Sequence, residues 1–89
     1  MEEDSPAVAL SLTNLAVART DSGVDASASL PMLFRAVRIY SSTGRREGLW
    51  QTQNTLRQSY QSLGKYELAV LWGKESVNTL QSLRGELSP

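Results

Sequence analysis

Apolar residues return at intervals of three and four along most of this chain, in four blocks, and each block closes on a glycine. The first block carries Val8, Leu12 and Leu15, with Ala16 and Ala18 narrowing its edge; the second carries Ala26, Leu30, Leu33, Val37 and Tyr40, widened by Phe34. Leu49, Gln53, Leu56, Tyr60 and Leu63 line the third with Trp50 beside them, and Tyr66, Val70, Gly73, Val77, Leu80 and Leu83 line the fourth. Such spacing lays one apolar stripe along an α-helix. Gly23, Gly44, Gly64 and Gly85 stand 21, 20 and 21 residues apart. Glycine enters the left-handed conformation that ends many helices without a Cβ clash, so each position marks a helix stop. The pattern predicts an all-α protein of two antiparallel helical hairpins stacked on each other. Residues 1–5 lead in, 6–44 form the first hairpin, 45–85 the second, and 86–89 a tail.

Local chemistry refines these elements. Ser5 suits an N-cap and Pro6 the first helical position, where a missing N–H costs nothing; helix one then runs to Arg19 or Thr20, before a turn at Asp21-Ser22-Gly23. Pro31 falls inside the second stripe, where proline removes a hydrogen bond and clashes one turn back. Either that helix bends over residues 27–31 or it starts late with Ser27 or Ser29 as its cap, and the unbroken stripe favours the bent helix. Helix three spans about 46–63 and helix four about 66–83, and the near absence of a loop at Gly64 forces them antiparallel. The expected core is Leu15, Leu30, Leu33, Val37, Leu56, Val70, Val77 and Leu80.

Composition narrows the function. The 89 residues allow one small domain, which buries only about 60–65% of its unfolded surface and is marginally stable without extension. Without cysteine or histidine the chain lacks the usual nucleophilic thiol, metal ligand and general base, so no enzyme and no cofactor is expected. Ser62-Leu63-Gly64-Lys65 matches a Ser-x-x-Lys pattern, but it straddles a helix end and lacks partner motifs. An acidic Met1-Glu2-Glu3-Asp4 start and no long apolar run predict a cytoplasmic protein without a membrane segment. Formal net charge is zero, yet residues 1–34 carry a net −4 and residues 35–89 a net +4. Such a distribution is usual for solvated helix faces, and opposite-signed halves would also favour head-to-tail contact with another repeat.

The halves also repeat. Shifted by 41 residues, Leu15 falls on Leu56, Gly23 on Gly64, Ala28 on Ala69, Leu30 on Leu71, Ile39 on Leu80 and Gly44 on Gly85. The segment Leu56 to Ala69 resembles the tetratricopeptide repeat (TPR), with Tyr60, Gly64 and Ala69 at the tyrosine, turn glycine and helix B alanine of that motif. The first unit keeps Leu15, Ala16, Gly23 and Ala28 but has Arg19 in place of the tyrosine; Gly73 replaces a bulky aromatic, and the terminal proline is absent. The 41-residue period resembles the long, kinesin-light-chain-like variety, and Leu71 to Arg84 looks like the repeats that precede CHAT (caspase-like) domains in bacterial proteins.

The resemblance implies a short α-solenoid acting as a protein-interaction scaffold, part of a larger repeat array, with a concave partner-binding face at Thr13, Val17, Thr20, Asn54, Gln58 and Gln61. The partner would be a protein or peptide, held by hydrogen bonds to these polar groups. A helical stack that stops on Val77, Leu80 and Leu83 has an open edge, expected to be covered by self-association, a partner or neighbouring repeats. The rival reading is a small helix-turn-helix nucleic-acid-binding protein, which needs Arg35, Arg38, Arg45, Arg46 and Arg57 to gather on one surface. Trp50 and Trp72, at stripe edges, suit either inter-repeat packing or a binding hot spot.

Overall fold

The computed structural model describes the backbone of residues 5–21 and 26–87, and the side chains of 5–19 and 26–85. It contains α1 (Pro6–Asp21), a 3₁₀ turn (Ala26–Ser29), α2 (Leu30–Thr43), α3 (Arg46–Ser62) and α4 (Tyr66–Leu87). The expected turn at Ser22-Gly23 lies outside the described residues.

Ser5 caps α1 as its position suggests, its Oγ accepting the Val8 N–H at 3.4 Å. Pro31 resolves in favour of the late start. It occupies the first turn of α2, where its missing N–H is harmless, and Ala26–Ser29 forms a separate 3₁₀ turn with Ser29 at the helix boundary. The continuous bent helix is therefore corrected. Two glycines end helices as expected: Gly44 at φ 69° and Gly64 at φ 75°. Their left-handed geometry aims the Arg45 N–H at the Tyr40 carbonyl and the Lys65 N–H at the Tyr60 carbonyl, at 3.0 and 2.9 Å. Gly85 is different. It lies within α4, which continues to Leu87, so the expected stop there and the start of the tail at 86 are both corrected.

Consecutive helices pack in order, and α3 also rests against α1, so that it occupies the seat between α1 and α2 while α4 covers its other side. The Cα envelope measures 42 × 36 × 17 Å, about two helices thick given interaxial distances of 8–10 Å. One cluster joins Ala16, Leu33, Leu56, Tyr60 and Ala69, flanked by Leu30, Val37, Leu63 and Trp72. The other joins Ala9, Ala36, Ile39 and Tyr40, flanked by Val8, Leu12 and Leu49.

Two stripes face elsewhere than their hydrophobicity suggested. On α1 the buried line is Ala9, Thr13 and Ala16, while Leu15 is 47% exposed. Two neighbouring helices crowd this line, and small side chains allow their approach: Thr13 Oγ1 donates to the Ala9 carbonyl and meets Thr52 Oγ1 at 3.1 Å. On α4, Ala69 and Ser76 are buried and Trp72, Thr79, Leu80 and Leu83 half-buried, whereas Val70 and Val77 are 56% and 50% exposed. Leu15, Val70 and Val77 thus leave the expected core.

The Ser59 hydroxyl is fully buried without a hydrogen-bond partner among the described residues. Removing an unsatisfied buried hydroxyl recovers its desolvation cost, so Ser59→Ala should raise stability by about 1 kcal/mol, read as an upward shift of the urea midpoint. Tyr40, buried against α3, has its phenol held above the ordinary 10.0 mainly by desolvation, with the Thr13 hydrogen bond opposing. A folded-state value above the unfolded one means stability is full below pH 10 and falls as pH rises past it, because the unfolded chain ionises first. Tyr40→Phe should flatten that alkaline loss in thermal melts from pH 8 to 11.

Candidate interaction surface

In the 17 Å slab α4 lies along α3 and reaches α2 through Trp72, so much of its apolar stripe has no covering helix. Tyr66, Val70, Gly73 and Val77 fall within one face by their spacing, and Tyr66 is 66% exposed. Leu68 and Leu71 are also exposed, on the opposite flank. Of the residues expected at the open edge, Val77 is exposed, while Leu80 and Leu83 are half-buried. Trp72 is half-buried, its ring 5.9 Å from Phe34 at a tilt of 55°, which bridges α4 to α2. Of the two roles open to it, inter-repeat packing is the one this geometry shows.

Between α3 and α4 runs an open groove of about 670 Å³ lined by Trp50, Asn54, Arg57, Val70, Gly73 and Val77, with Lys74 and Asn78 at its rim. Arg57 organises its centre. A Cβ at Gly73 would lie 3.2 Å from Arg57 Cδ, so the stem of the arginine takes the space that a larger residue 73 would fill. The guanidinium is held from two sides, Nε donating to Asn54 Oδ1 at 3.0 Å and Nη1 to Gln61 Oε1 at 3.1 Å. Asn54, Arg57 and Gln61 are spaced three and four apart on α3, and that helix presents them together. Deeper in the same interface Thr79 Oγ1 donates to Gln53 Oε1 at 2.6 Å, which is how a glutamine comes to lie in the α3 stripe. The charged residues lining the groove, Arg57 and Lys74, are both cationic.

The concave-face residues divide. Asn54, Gln58 and Gln61 share a face of α3, half-buried in the first case and exposed in the other two. Thr13 is corrected: it is buried and engaged with Ala9 and Thr52, and so is closed to a ligand. Val17 is half-buried, and the side chain of Thr20 lies outside the described residues. The arginines are not all together: Arg57 lies in the groove of α3 and α4, whereas the hollows bordered by Arg45 and Arg46 and by Arg35 adjoin at Ala7. Arg45 and Arg46 border a hollow with Pro6, Leu10 and Tyr40, Arg35 lies beside Ala7, Leu12 and Leu15, and Arg57 crosses α4. The pairing of Arg57 with Gly73 escaped sequence reading, although the loss of the motif's bulky aromatic at 73 was the available signal.

The class this architecture defines is an all-α stack of helical hairpins. Comparison with protein-family models, curated proteins and solved structures returns no match. Among the described residues, no helix is long and apolar enough to cross a membrane.

Proposed function

We propose that the chain is a protein-interaction scaffold of tetratricopeptide-like repeats, acting in the cytoplasm through the groove and apolar face of α3 and α4. The observation that carries this reading is the row Tyr66, Val70 and Val77, exposed beside a preorganised arginine. Contiguous apolar surface rimmed by polar groups is characteristic of interaction sites. A protein partner is favoured over nucleic acid because the groove of α3 and α4 is lined mostly by uncharged residues and the formal net charge is zero, whereas phosphate binding draws on clustered cations.

Sedimentation equilibrium over a concentration series, with circular dichroism on the same samples, tests the reading. The chain should show a weight-average mass that rises above 9.8 kDa with concentration. Val77→Asp should remain monomeric with unchanged helix content, because the side chain it alters is half exposed. A variant that associates like the parent, or a chain that neither self-associates nor binds a partner there, would remove α4 as the working surface.

A further inference from the structure

The repeat of 41 residues can be applied to the packing as well as to the sequence. In the first unit α3 occupies a seat made by Ala9, Thr13 and Ala16 of α1 and by Ser29, Leu33 and Ala36 in the following segment, every one of them buried. Advanced by 41, these positions are Trp50, Asn54, Arg57, Val70, Lys74 and Val77. All six line the open groove between α3 and α4. The groove is therefore in register with the helix seat of the first unit, although larger side chains, Trp50 and Arg57, line it where the first has Ala9 and Ala16.

The helix that fits it is also visible. The face by which α3 enters its own seat carries Gly48 beneath the Tyr40 ring, Thr52 bonded to Thr13 and Leu56 in the first core cluster, with buried Thr55 and Ser59 between and beyond. Moved back by 41, that face becomes Ala7, Ser11, Leu15, Asn14 and Ala18 of α1. All five are exposed. The small, small-polar, leucine, small order survives the shift, so α1 presents to solvent the surface with which its counterpart packs. Charge is mixed: the groove bears Arg57 and Lys74, and α1 ends on Asp21 with Glu2, Glu3, Asp4 and Asp25 flanking it in sequence, while Arg19 on α1 and Arg35 beside Ala7, Ser11 and Leu15 act against them.

We propose that the groove between α3 and α4 is the seat for α1 of a second copy of this chain, giving head-to-tail assembly in which each junction follows the helix order and register of the internal α1–α2–α3 packing. The contact is heterologous, so it grows open chains rather than closing at a dimer. This rests on the reading of α4 as an interaction surface and adds the identity and orientation of the partner.

Complementing variants test the orientation. Leu15→Asp blocks the incoming face and Val77→Asp blocks the seat; both side chains are about half exposed, so circular dichroism should be unchanged. Each alone should lose association by about 100-fold, since an apolar side chain of the contact is replaced by a carboxylate that must be desolvated. Mixed in equal amounts, they should recover one heterodimer, because one variant retains the seat and the other the incoming helix. Cysteine pairs give a second readout on a chain free of cysteine. Ser11→Cys and Asn54→Cys correspond by the shift to the Thr52–Thr13 pair, which stands at 3.1 Å inside the chain. On mild oxidation the mixture should form a disulfide-linked dimer, and neither variant alone should.

A mixture of the Asp variants that stays monomeric although the parent associates would overturn the head-to-tail arrangement and leave the interaction surface standing. So would Ser11→Cys or Asn54→Cys cross-linking to itself as readily as to the other, which indicates a two-fold contact. Capture of a helix from a different protein without self-association would assign the seat to that partner instead. A parent chain that neither associates nor binds would remove both readings.

Discussion

Gly48→Ala is expected to destabilise the fold by about 2 kcal/mol, although the same exchange in an exposed helix stabilises by about 1 kcal/mol. The reason is the Tyr40 ring, which lies so close to the α3 backbone that a Cβ at residue 48 would overlap three of its atoms. The ring is buried at the end of α2, in the cluster with Ala9, Ala36 and Ile39, so moving it aside would break that packing. Overpacking of this kind costs about 1–3 kcal/mol, which outweighs the gain in helix propensity. Urea titration followed by circular dichroism reads the loss directly. In a Tyr40→Ala background the penalty should disappear and the propensity gain return, a coupling that a double-mutant cycle isolates. An unchanged or raised midpoint for Gly48→Ala in the parent chain would contradict the close approach of Tyr40 and α3.

Leu56→Ala should cost about 3 kcal/mol, while Leu15→Ala should cost less than about 0.5 kcal/mol. The two leucines are equivalent under the 41-residue shift, yet Leu56 is fully buried and Leu15 is 47% exposed. Leu56 meets Ala16, Leu33, Tyr60 and Ala69, so its truncation leaves a cavity where all four helices converge. A chain of 89 residues has about 5–13 kcal/mol of stability in all. Leu56→Ala therefore removes a large fraction, and its thermal midpoint should fall by more than 10 °C, since about 1 kcal/mol corresponds to 4–8 °C at this size. Equal effects at 15 and 56 would mean that α1 is seated on both faces, against the packing described. Under concentrations that favour head-to-tail assembly, Leu15→Ala should become costly, because the incoming α1 would then be buried as α3 is.

Local rules account for much of the scaffold. Ser5 with Pro6 starts α1, and the glycines at 44 and 64 take positive φ because the chain must fold back on the helix it leaves. The same residue type at 85 stays helical, since no reversal occurs there among the described residues and glycine permits a left-handed turn without requiring one. Pro31 admitted two outcomes, and both are locally sound; the start of α2 at Leu30 came with the packing of the 3₁₀ turn against α1 and α3.

The orientation of each stripe is a different matter. Apolar spacing identifies a helix face, but the inner face of a closely packed helix is selected by fit, and Ala9, Thr13 and Ala16 displaced Leu15 from the core because α2 and α3 both press on that line. The site depended on the same step. Asn54 and Gln61 were recognisable as polar positions on one helix face, but their clasp on Arg57, and the place made for that arginine by Gly73, needed α4 brought across α3. By itself the sequence determined four helices, their two reversals and their 41-residue repeat, because caps, turns and periodicity act within a few residues. Only the tertiary structure decided which faces are buried and which seat stands open, because those follow from how many helices each one touches.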